Sequence, residues 1–251
     1  MAAGDFIAHQ AVLDSALRLL ACRVQALAVV DVAGSGAVIV ASGGDLARWT
    51  VRASQEWTEL LSTSPAGAVT DLARSLPNNR AMVDRGLRMR SVFDLGSTEP
   101  ALWELLAAEP GADELYFASF APVLMRVVDY RFVLMAGPPG TRSILRMSSA
   151  AAVEAALVHW QAVFAHARPC TAVDGPGRSS RLSRPSARQT LILELLRRGD
   201  TDTQIASILS LSTRTVQSEV AALMERYDAA SRFALGYEYA VASRLDPPTG
   251  R

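Results

Sequence analysis

The sequence predicts an α/β N-terminal domain, with helices around a mixed sheet, followed by an all-α C-terminal domain of four helices. Helical and strand-like apolar patterns alternate as far as Ala167, whereas only helical patterns follow Arg184. Between them, residues 169–185 are rich in Pro, Gly, Ser and Arg, which is typical of a linker. We therefore place the domains at 1–170 and 184–251, with a linker at 171–183.

The composition excludes several classes of protein. All 25 basic residues are arginine, so the chain has no lysine for a Walker phosphate loop, a Schiff base or a Ser-Lys hydrolase. Its two cysteines, Cys22 and Cys170, cannot make a disulfide framework or a four-ligand zinc site. Neither a signal peptide nor a run of about 18 apolar residues is evident. We predict a cytoplasmic location and no membrane association.

The N-terminal elements follow from local patterns. Apolar residues at helical spacing predict the first helix, β-branched runs predict strands on both sides of Gly34, and Asp129-Tyr130 marks a hairpin turn. Ser149 is a suitable N-cap for the last helix, because its hydroxyl accepts an amide N–H of the first turn. In order, we predict a helix at 5–24, strands at 26–32 and 37–41, helices at 45–61 and 67–85 with a break at Pro77, a strand at 88–93, a helix at 100–108, strands at 114–118, 123–128, 131–136 and 143–147, and a helix from 149 to 167.

The C-terminal helices are predicted at 184–198, 202–209, 213–227 and 231–243, with Gly199 as the stop residue of the first. Ile205, Ala206 and Leu209 form the inward face of the second helix. Val216, Val220 and Leu223 recur at i, i+4 and i+7 and form the buried stripe of the third. The opposite face of the third helix then carries Arg214, Thr215, Gln217, Ser218 and Ala221. Two helices with this short turn fit a DNA major groove, in which the second presents its N-terminal residues to the bases.

At these positions the chain resembles the LuxR-type helix–turn–helix domain of bacterial transcription regulators. The resemblance covers about 182–239 and is carried by these residues: Leu182-Ser183, Gly199, Ile205-Ala206, Leu209, Ser212, Arg214-Thr215-Val216, Val220 and Ser231-Arg232. It implies double-stranded DNA as a partner and a homodimer that packs through the fourth helix. It also implies two groups of DNA-binding residues: Thr213, Arg214, Thr215, Gln217 and Ser218 at the DNA, with Thr201 and Thr203 near phosphates.

The third helix departs from the family pattern in one respect. After Thr-Val the family carries a basic residue and then a histidine, whereas this chain has Gln217, Ser218 and Glu219. From Gly199 to Arg251 there are five arginines and seven acids, a net charge of −2. Each missing phosphate contact lowers DNA affinity. An alternative therefore stays open, in which the chain is a non-catalytic protein- or ligand-binding module whose helix–turn–helix no longer reads DNA.

Arginines before the second helix of this domain form a local cluster of positive charge. The stretch 171–251 has 11 arginines and nine acids, while 1–170 has 14 and 16. Its early part contains only Asp174 and Glu194 as acids, against Arg178, Arg181, Arg184, Arg188, Arg197 and Arg198. Such a cluster attracts phosphates, or its members are solvated side chains of a linker and a helix surface.

The region 78–169 resembles the phospholipase-D-like, TrmB-type sensor domains of actinobacterial regulators. Two patterns carry this resemblance: Met82, Arg85, Gly86, Met89, Val92 and Asp94 in a helix–strand segment, and Arg126, Asp129 and Arg131 in a hairpin. Phospholipase-D catalysis needs a His-x-Lys pair, which this chain lacks, so we predict no enzyme activity and no cofactor. The resemblance implies that the domain senses a small-molecule effector or forms a dimer.

Two histidines near the end of the N-terminal domain allow two readings. His159 and His166 are seven residues apart on the last predicted helix, and Cys170 follows. A metal site is one reading, although no fourth ligand is evident. Packed or surface histidines are the other, and we predict no metal.

Overall fold

The computed structural model describes residues 3–65, 69–173 and 185–245. Within these ranges the predicted fold class is confirmed: a mixed sheet with helices comes first, and only helices follow residue 185. No helix in the described ranges has the length and apolar character required to span a bilayer.

The first part of the chain alternates helices and strands, as expected for an α/β domain. Its helices are α1 (Ala3–Ala28), α2 (Leu46–Ala53), α3 (Val69–Asp84), α4 (Pro100–Ala107), α5 (Ala112–Leu115) and α6 (Ala150–Phe164). Its strands are β1 (Ala37–Ser42), β2 (Glu59–Ser64), β3 (Arg88–Asp94), β4 (Tyr116–Ser119), β5 (Met125–Val128), β6 (Phe132–Ala136), β7 (Ser143–Met147) and β8 (Arg168–Pro169). The second part contains α7 (Ala187–Arg197), α8 (Asp202–Leu209), α9 (Thr213–Arg226) and α10 (Arg232–Leu245).

The strands form one mixed sheet in the order β1-β7-β6-β5-β2-β3-β4-β8. Strands β2, β3 and β4 run parallel to one another, and the remaining neighbours are antiparallel. The predicted β5–β6 hairpin is confirmed, with Asp129 and Tyr130 at φ values of 51° and 55°. Positive φ at both central residues is the geometry of the tight turn that matches strand twist. The Asp129 carboxylate accepts hydrogen bonds from the backbone amides of Thr58 and Glu59 and so ties the turn to the start of β2.

Helices cover both faces of the sheet. On one face, α1 and α6 pack through Leu13, Leu17 and Ala156 against Val127 and Leu145. On the other face, side chains of α2, α3 and α4 meet the alternate strand residues, and the buried members of this group include Leu76, Leu102, Trp103, Leu60, Val128 and Leu134. Because consecutive strand residues point to opposite faces, each strand in the middle of the sheet contributes to both layers.

Two predicted elements in the first third of the chain are wrong in part. The strand expected at 26–32 does not form, because α1 continues to Ala28 and turns follow. Ala26 and Leu27 instead lie in the last turn of α1 and Val30 lies in the turn after it, and these three residues pack against the core. The helix expected at 45–61 ends at Ala53, since Leu60 and Leu61 are buried on opposite faces of β2. A strand covered on both sides has the same continuous apolar pattern as a buried helix.

Other boundaries shift for local reasons. Pro77 lies inside α3 and does not break it. Pro77 and Ala73 are both exposed, so water can bond the Ala73 carbonyl that loses its helical partner. The strand expected at 114–118 begins at Tyr116, after the single turn of α5. Ser149 caps α6 as predicted by accepting the Ala152 amide, but the helix ends at Phe164.

The described part of the N-terminal domain extends through Val173. Pro169 belongs to the short edge strand β8, which pairs with β4, and the next residue, Cys170, is buried. Most of the predicted linker, including Arg178, Arg181 and Arg184, lies outside the described residues.

His159 is a packed residue of the core and is well separated from His166. Its Nδ1 is 2.9 Å from the Ser15 hydroxyl of α1, and burial lowers its pKa to about 4. His166 is exposed beyond the end of α6. Among the described residues, no group of three or more His, Cys, Asp or Glu side chains is placed to hold a metal ion.

A buried arginine of α1 connects the helical part of the chain to the sheet. Arg23 is only 1 % exposed, and its Nε and Nη2 atoms donate to the carbonyls of Ala136 and Gly137 at 2.7 and 2.5 Å. No carboxylate of the described residues pairs with it. Burial lowers its pKa to about 10, so the guanidinium stays charged at neutral pH.

The same guanidinium reaches the end of α8. Nη1 of Arg23 donates to the carbonyls of Ser207 and Ile208 at 3.1 and 3.3 Å, and Nη2 also donates to the Ser210 hydroxyl. Ser210 in turn donates to the Gly137 carbonyl at 2.6 Å. Carbonyls at a helix C-terminus carry partial negative charge and lack helical donors, so they suit a buried cation. Apolar side chains of both parts also share one buried cluster, and the helical part therefore docks on the α/β part.

We predict that Gly137→Ala destabilises the protein, because the Ser143 side chain packs directly against Gly137. A Cβ at this position would overlap the Ser143 hydroxyl and lie 3.1 Å from the Ser143 Cβ. We expect the free energy of unfolding to fall by about 1–3 kcal/mol in chemical denaturation. Gly44→Ala is the control, since a Cβ there meets nothing within 4 Å. Equal stabilities of the two variants would contradict this reading of the loop.

Candidate nucleic-acid interface

Reciprocal hydrogen bonds fix where the first two helices of the C-terminal part begin. The Ser186 hydroxyl accepts the Gln189 amide while the Gln189 side chain accepts the Ser186 amide, and Thr201 and Gln204 make the same pair at the start of α8. These are capping boxes, which satisfy donors that a helix start leaves unpaired. Gly199, at a φ of 89°, ends α7 as predicted.

A tight turn joins α8 to α9. Ser210 adopts a left-handed conformation with a φ of 58°, and the Leu211 amide bonds back to the Ala206 carbonyl at 2.9 Å. Ser212 then caps α9 by accepting the Thr215 amide at 3.0 Å. The two helices are therefore held at a defined angle by a connection of three residues, 210–212.

The predicted inward faces of α8 and α9 are confirmed. Ile205 and Ala206 of α8 are buried, as are Val216, Val220 and Leu223 of α9. They pack with buried leucines of α7 and with Leu235 of α10. Ala206 is small enough to allow close approach of α8 and α9.

The predicted DNA-contacting residues lie at the surface of this helical unit. Arg214, Gln217 and Ser218 are exposed on the first two turns of α9, and Thr213 and Thr215 beside them are half-buried. The Thr215 hydroxyl is 2.7 Å from that of Ser212, so it also supports the turn.

Thr201 and Thr203 are both exposed at the start of α8. The Thr201 hydroxyl accepts the Gln204 amide in the cap and also donates to the Gln204 side chain at 2.8 Å. The start of α8 presents free backbone N–H groups and positive dipole, which is the usual environment for a phosphate.

Four arginines of the unit form ion pairs with three acids of the chain. Arg197 and Arg198 both pair with Glu194, which is 3 % exposed, at 2.5 and 3.4 Å. Burial opposes ionisation of Glu194, but the hydrogen bond from Arg197 and the charges of both arginines outweigh it and lower the Glu194 pKa. One carboxylate thus serves both arginines, and a net charge of +1 remains at this site.

Two further arginines pair with acids from other helices. Arg188 is 3.9 Å from Glu219 of α9, an acid that lies outside the stretch of sequence containing the arginine cluster. Arg232 pairs with Asp202 and also donates to the Asp200 carbonyl, which joins α10 to the start of α8. These acids are far from their partners in the sequence, so a count of charges within one stretch of the chain cannot identify the pairs.

Arg214 differs from these arginines. It is exposed at the second position of α9, and no carboxylate of the described residues pairs with it. Its charge is therefore available to an external anion. Gln217 lies one turn further along the same face and adds an amide with both donor and acceptor atoms.

The helix arrangement agrees with one comparison. Residues 185–236 match the model of the bacterial regulatory proteins of the luxR family. The match covers 52 of the 251 residues and supports a DNA-binding transcription regulator. It leaves the N-terminal part untested, and the comparison with curated proteins gave no match. The LuxR-like unit thus comprises α7, α8, α9 and the first residues of α10.

Sequence reasoning missed the contact that holds the LuxR-like unit in place. Arg23 is separated from Ser210 by 187 residues, and the surrounding helix pattern is simply amphipathic. The one sequence signal is a charged residue between apolar positions of α1, which is not specific enough to identify its partners.

We predict that Ser212→Ala lowers stability while Ser218→Ala does not. Ser212 caps α9 through the Thr215 amide, and loss of such a cap costs about 1 kcal/mol. Ser218 is exposed on the same helix and makes no side-chain bond to described residues. Chemical denaturation of both variants measures the difference. A stable Ser212→Ala variant would show that the turn does not depend on this cap.

Proposed function

We propose that the protein is a one-component transcriptional regulator that binds double-stranded DNA with the first two turns of α9. The observation that carries this proposal is the exposed, unpaired Arg214 beside Gln217 and Ser218, within residues that match the luxR family. Arginine and glutamine are suited to bidentate contacts with guanine and adenine edges. Thr213 and Thr215 would position the helix start at the same groove.

The start of α8 would contact the DNA backbone. Thr201 and Thr203 are exposed there, at the helix end that carries the positive end of the dipole. In a helix–turn–helix the first helix crosses the phosphates while the second enters the major groove. The short 210–212 turn and the docking by Arg23 would hold these two groups in one orientation.

We propose that the regulator acts as a homodimer through α10. Phe233 and Tyr237 are one turn apart on this helix and are 85 % and 62 % exposed. Aromatic side chains in a contiguous exposed patch favour burial against a partner. A two-fold dimer would bind two half-sites about one helical turn of DNA apart.

We propose that the N-terminal domain, 1–170, senses a small-molecule effector and is joined to the DNA-binding domain, 184–251, by the linker at 171–183. The TrmB-type resemblance remains a prediction, as do the non-enzymatic role and the cytoplasmic location. A cavity in this domain, described below, supports the sensing role over a purely dimerising one.

The alternative, a binding module that no longer reads DNA, is favoured by a specific observation. Arg188, Arg197, Arg198 and Arg232 are all paired with acids of the chain. Few basic groups then remain for phosphates, and the salt dependence of binding distinguishes the two functions.

We predict that the purified full chain retains DNA fragments from its genomic neighbourhood, with affinity that falls as salt rises. The Arg214→Ala, Gln217→Ala double variant should lose about tenfold or more in affinity for the best fragment, since each base contact contributes about 1–3 kcal/mol. Arg226→Ala is the matched control, because it lies on the same helix about 18 Å from Arg214. Equilibrium binding across a salt series measures both effects.

The same experiment separates the two functions. Retention of no fragment even at about 50 mM salt would favour the binding module. Unchanged affinity of the double variant would contradict the proposed reading helix. A palindromic fragment should bind more tightly than its single half-site if the protein acts as a dimer.

A further inference from the structure

A cavity of about 530 Å³ lies between the sheet and the helices α2 and α3. Strands β5, β6 and β7 form its floor, and the β6–β7 loop closes one side. Its walls include apolar side chains from several of these elements, namely Leu46, Val51, Leu124, Leu134 and Ile144. Val51 and Leu124 are 47 % and 44 % exposed, so part of this wall is apolar surface that faces solvent. The volume falls within the range of small-molecule sites.

Three arginines from different elements converge on this cavity. Arg126 comes from the floor in β5, Arg74 from α3 and Arg142 from the β6–β7 loop. No acidic side chain lines the cavity among the described residues, and none of the three arginines forms an ion pair or side-chain hydrogen bond with them. The cavity is therefore positively charged as well as apolar.

Arg126 is the most unusual of the three. It occupies the middle of β5, directly opposite Ser62 of β2 and Leu134 of β6. Its side chain is partly buried, and burial lowers its pKa. Burial of an unpaired guanidinium costs free energy, because the charge loses its hydration. An anion in the cavity would offset this free energy by forming charge-assisted hydrogen bonds with Arg126.

Arg142 adds a backbone feature. Its φ is 41°, which is uncommon for a residue with a side chain, and the Gly43 amide holds its carbonyl at 2.9 Å. Residues in such conformations persist where the surrounding structure fixes them, often at ligand sites.

We propose that this cavity binds a small organic anion, an oxyanion carried on an apolar body, and that Arg126 pairs with the oxyanion. The planar guanidinium matches a carboxylate or phosphate with two parallel hydrogen bonds. Arg74 and Arg142 add positive charge at the rim, and the apolar wall covers the body of the ligand. This inference names a ligand class for the proposed sensing role. The binding site stands independently of that role, whereas the effect of the ligand on the helix–turn–helix rests on it.

The regulatory part follows from the loop that the cavity shares with the docked helices. Arg142 and Ser143 line the cavity, and the same loop begins at Gly137. The Gly137 carbonyl accepts hydrogen bonds from both Arg23 and Ser210, which belongs to the turn before α9. An anion that holds Arg142 in place therefore orders the loop against which the helix–turn–helix packs.

Calorimetric titration of the full chain without DNA tests the site. The probes are octanoate, octyl phosphate and the neutral octan-1-ol, so that the two oxyanions are compared on one apolar chain. We expect at least one oxyanion to bind more tightly than the alcohol, and Arg126→Gln to weaken it about tenfold or more. Arg90→Gln is the control, because Arg90 is an exposed strand arginine that lies over the Phe164 ring and outside the cavity.

Two results would overturn the proposed site. One is binding of neither oxyanion above the level of octan-1-ol. The other is oxyanion binding that Arg126→Gln and Arg90→Gln leave equally strong. A thermal melt of each variant shows whether it is folded, and Arg126→Met provides a second neutral replacement if the glutamine variant is not. Because no DNA is present, failure of DNA binding leaves this test unaffected.

Hydrogen exchange tests the regulatory part. The better oxyanion should slow amide exchange in the 137–142 loop and in the 210–212 turn of the wild-type protein, and should not do so in Arg126→Gln. Slowed exchange only at amides of the residues that line the cavity, with unchanged exchange in the 210–212 turn, would contradict the connection to the helix–turn–helix.

Discussion

The arrangement of the whole chain depends on a buried arginine that has no acidic partner among the described residues. Arg23 donates to carbonyls at the end of the β6 strand and to carbonyls at the end of α8, and burial lowers its pKa to about 10. A buried cation is tolerated only when acceptors satisfy its N–H donors. Without these carbonyls, the buried charge of Arg23 would lower the stability of the fold. The α/β part and the helical part therefore stabilise one another through this side chain and the apolar cluster that they share.

This contact sets the orientation in which the LuxR-like unit is presented. Arg23 and Ser210 hold the turn before α9, while Arg214 and Gln217 remain exposed. The loop that receives Arg23 also borders the arginine-lined cavity. Sensing and DNA reading, as we propose them, would consequently meet at one loop of six residues, 137–142.

Features that depend on neighbours in sequence could be predicted, and features that depend on distant partners could not. Ser149, Gly199 and the α9 stripe of Val216, Val220 and Leu223 follow from capping and helical spacing, which are local rules. The extent of α2 could not be predicted, because Leu60 and Leu61 become a strand only when both faces of the sheet are covered. The ion pair of Arg188 with Glu219 and the contacts of Arg23 likewise depend on residues that are far away in the sequence. Of the candidate site, the exposed face of α9 was predictable, and the distribution of free and paired charge around it was not.

Scanning calorimetry of the full chain tests most directly whether Arg23 makes the two parts into one cooperative unit. We predict a single transition for the wild-type protein, in which the sheet and the helix–turn–helix unfold together. We expect Arg23→Met to separate a helical transition at lower temperature, whereas Arg18→Met, on the exposed side of α1, does not. Two separate transitions in the wild-type protein, or one unchanged transition in Arg23→Met, would contradict this prediction.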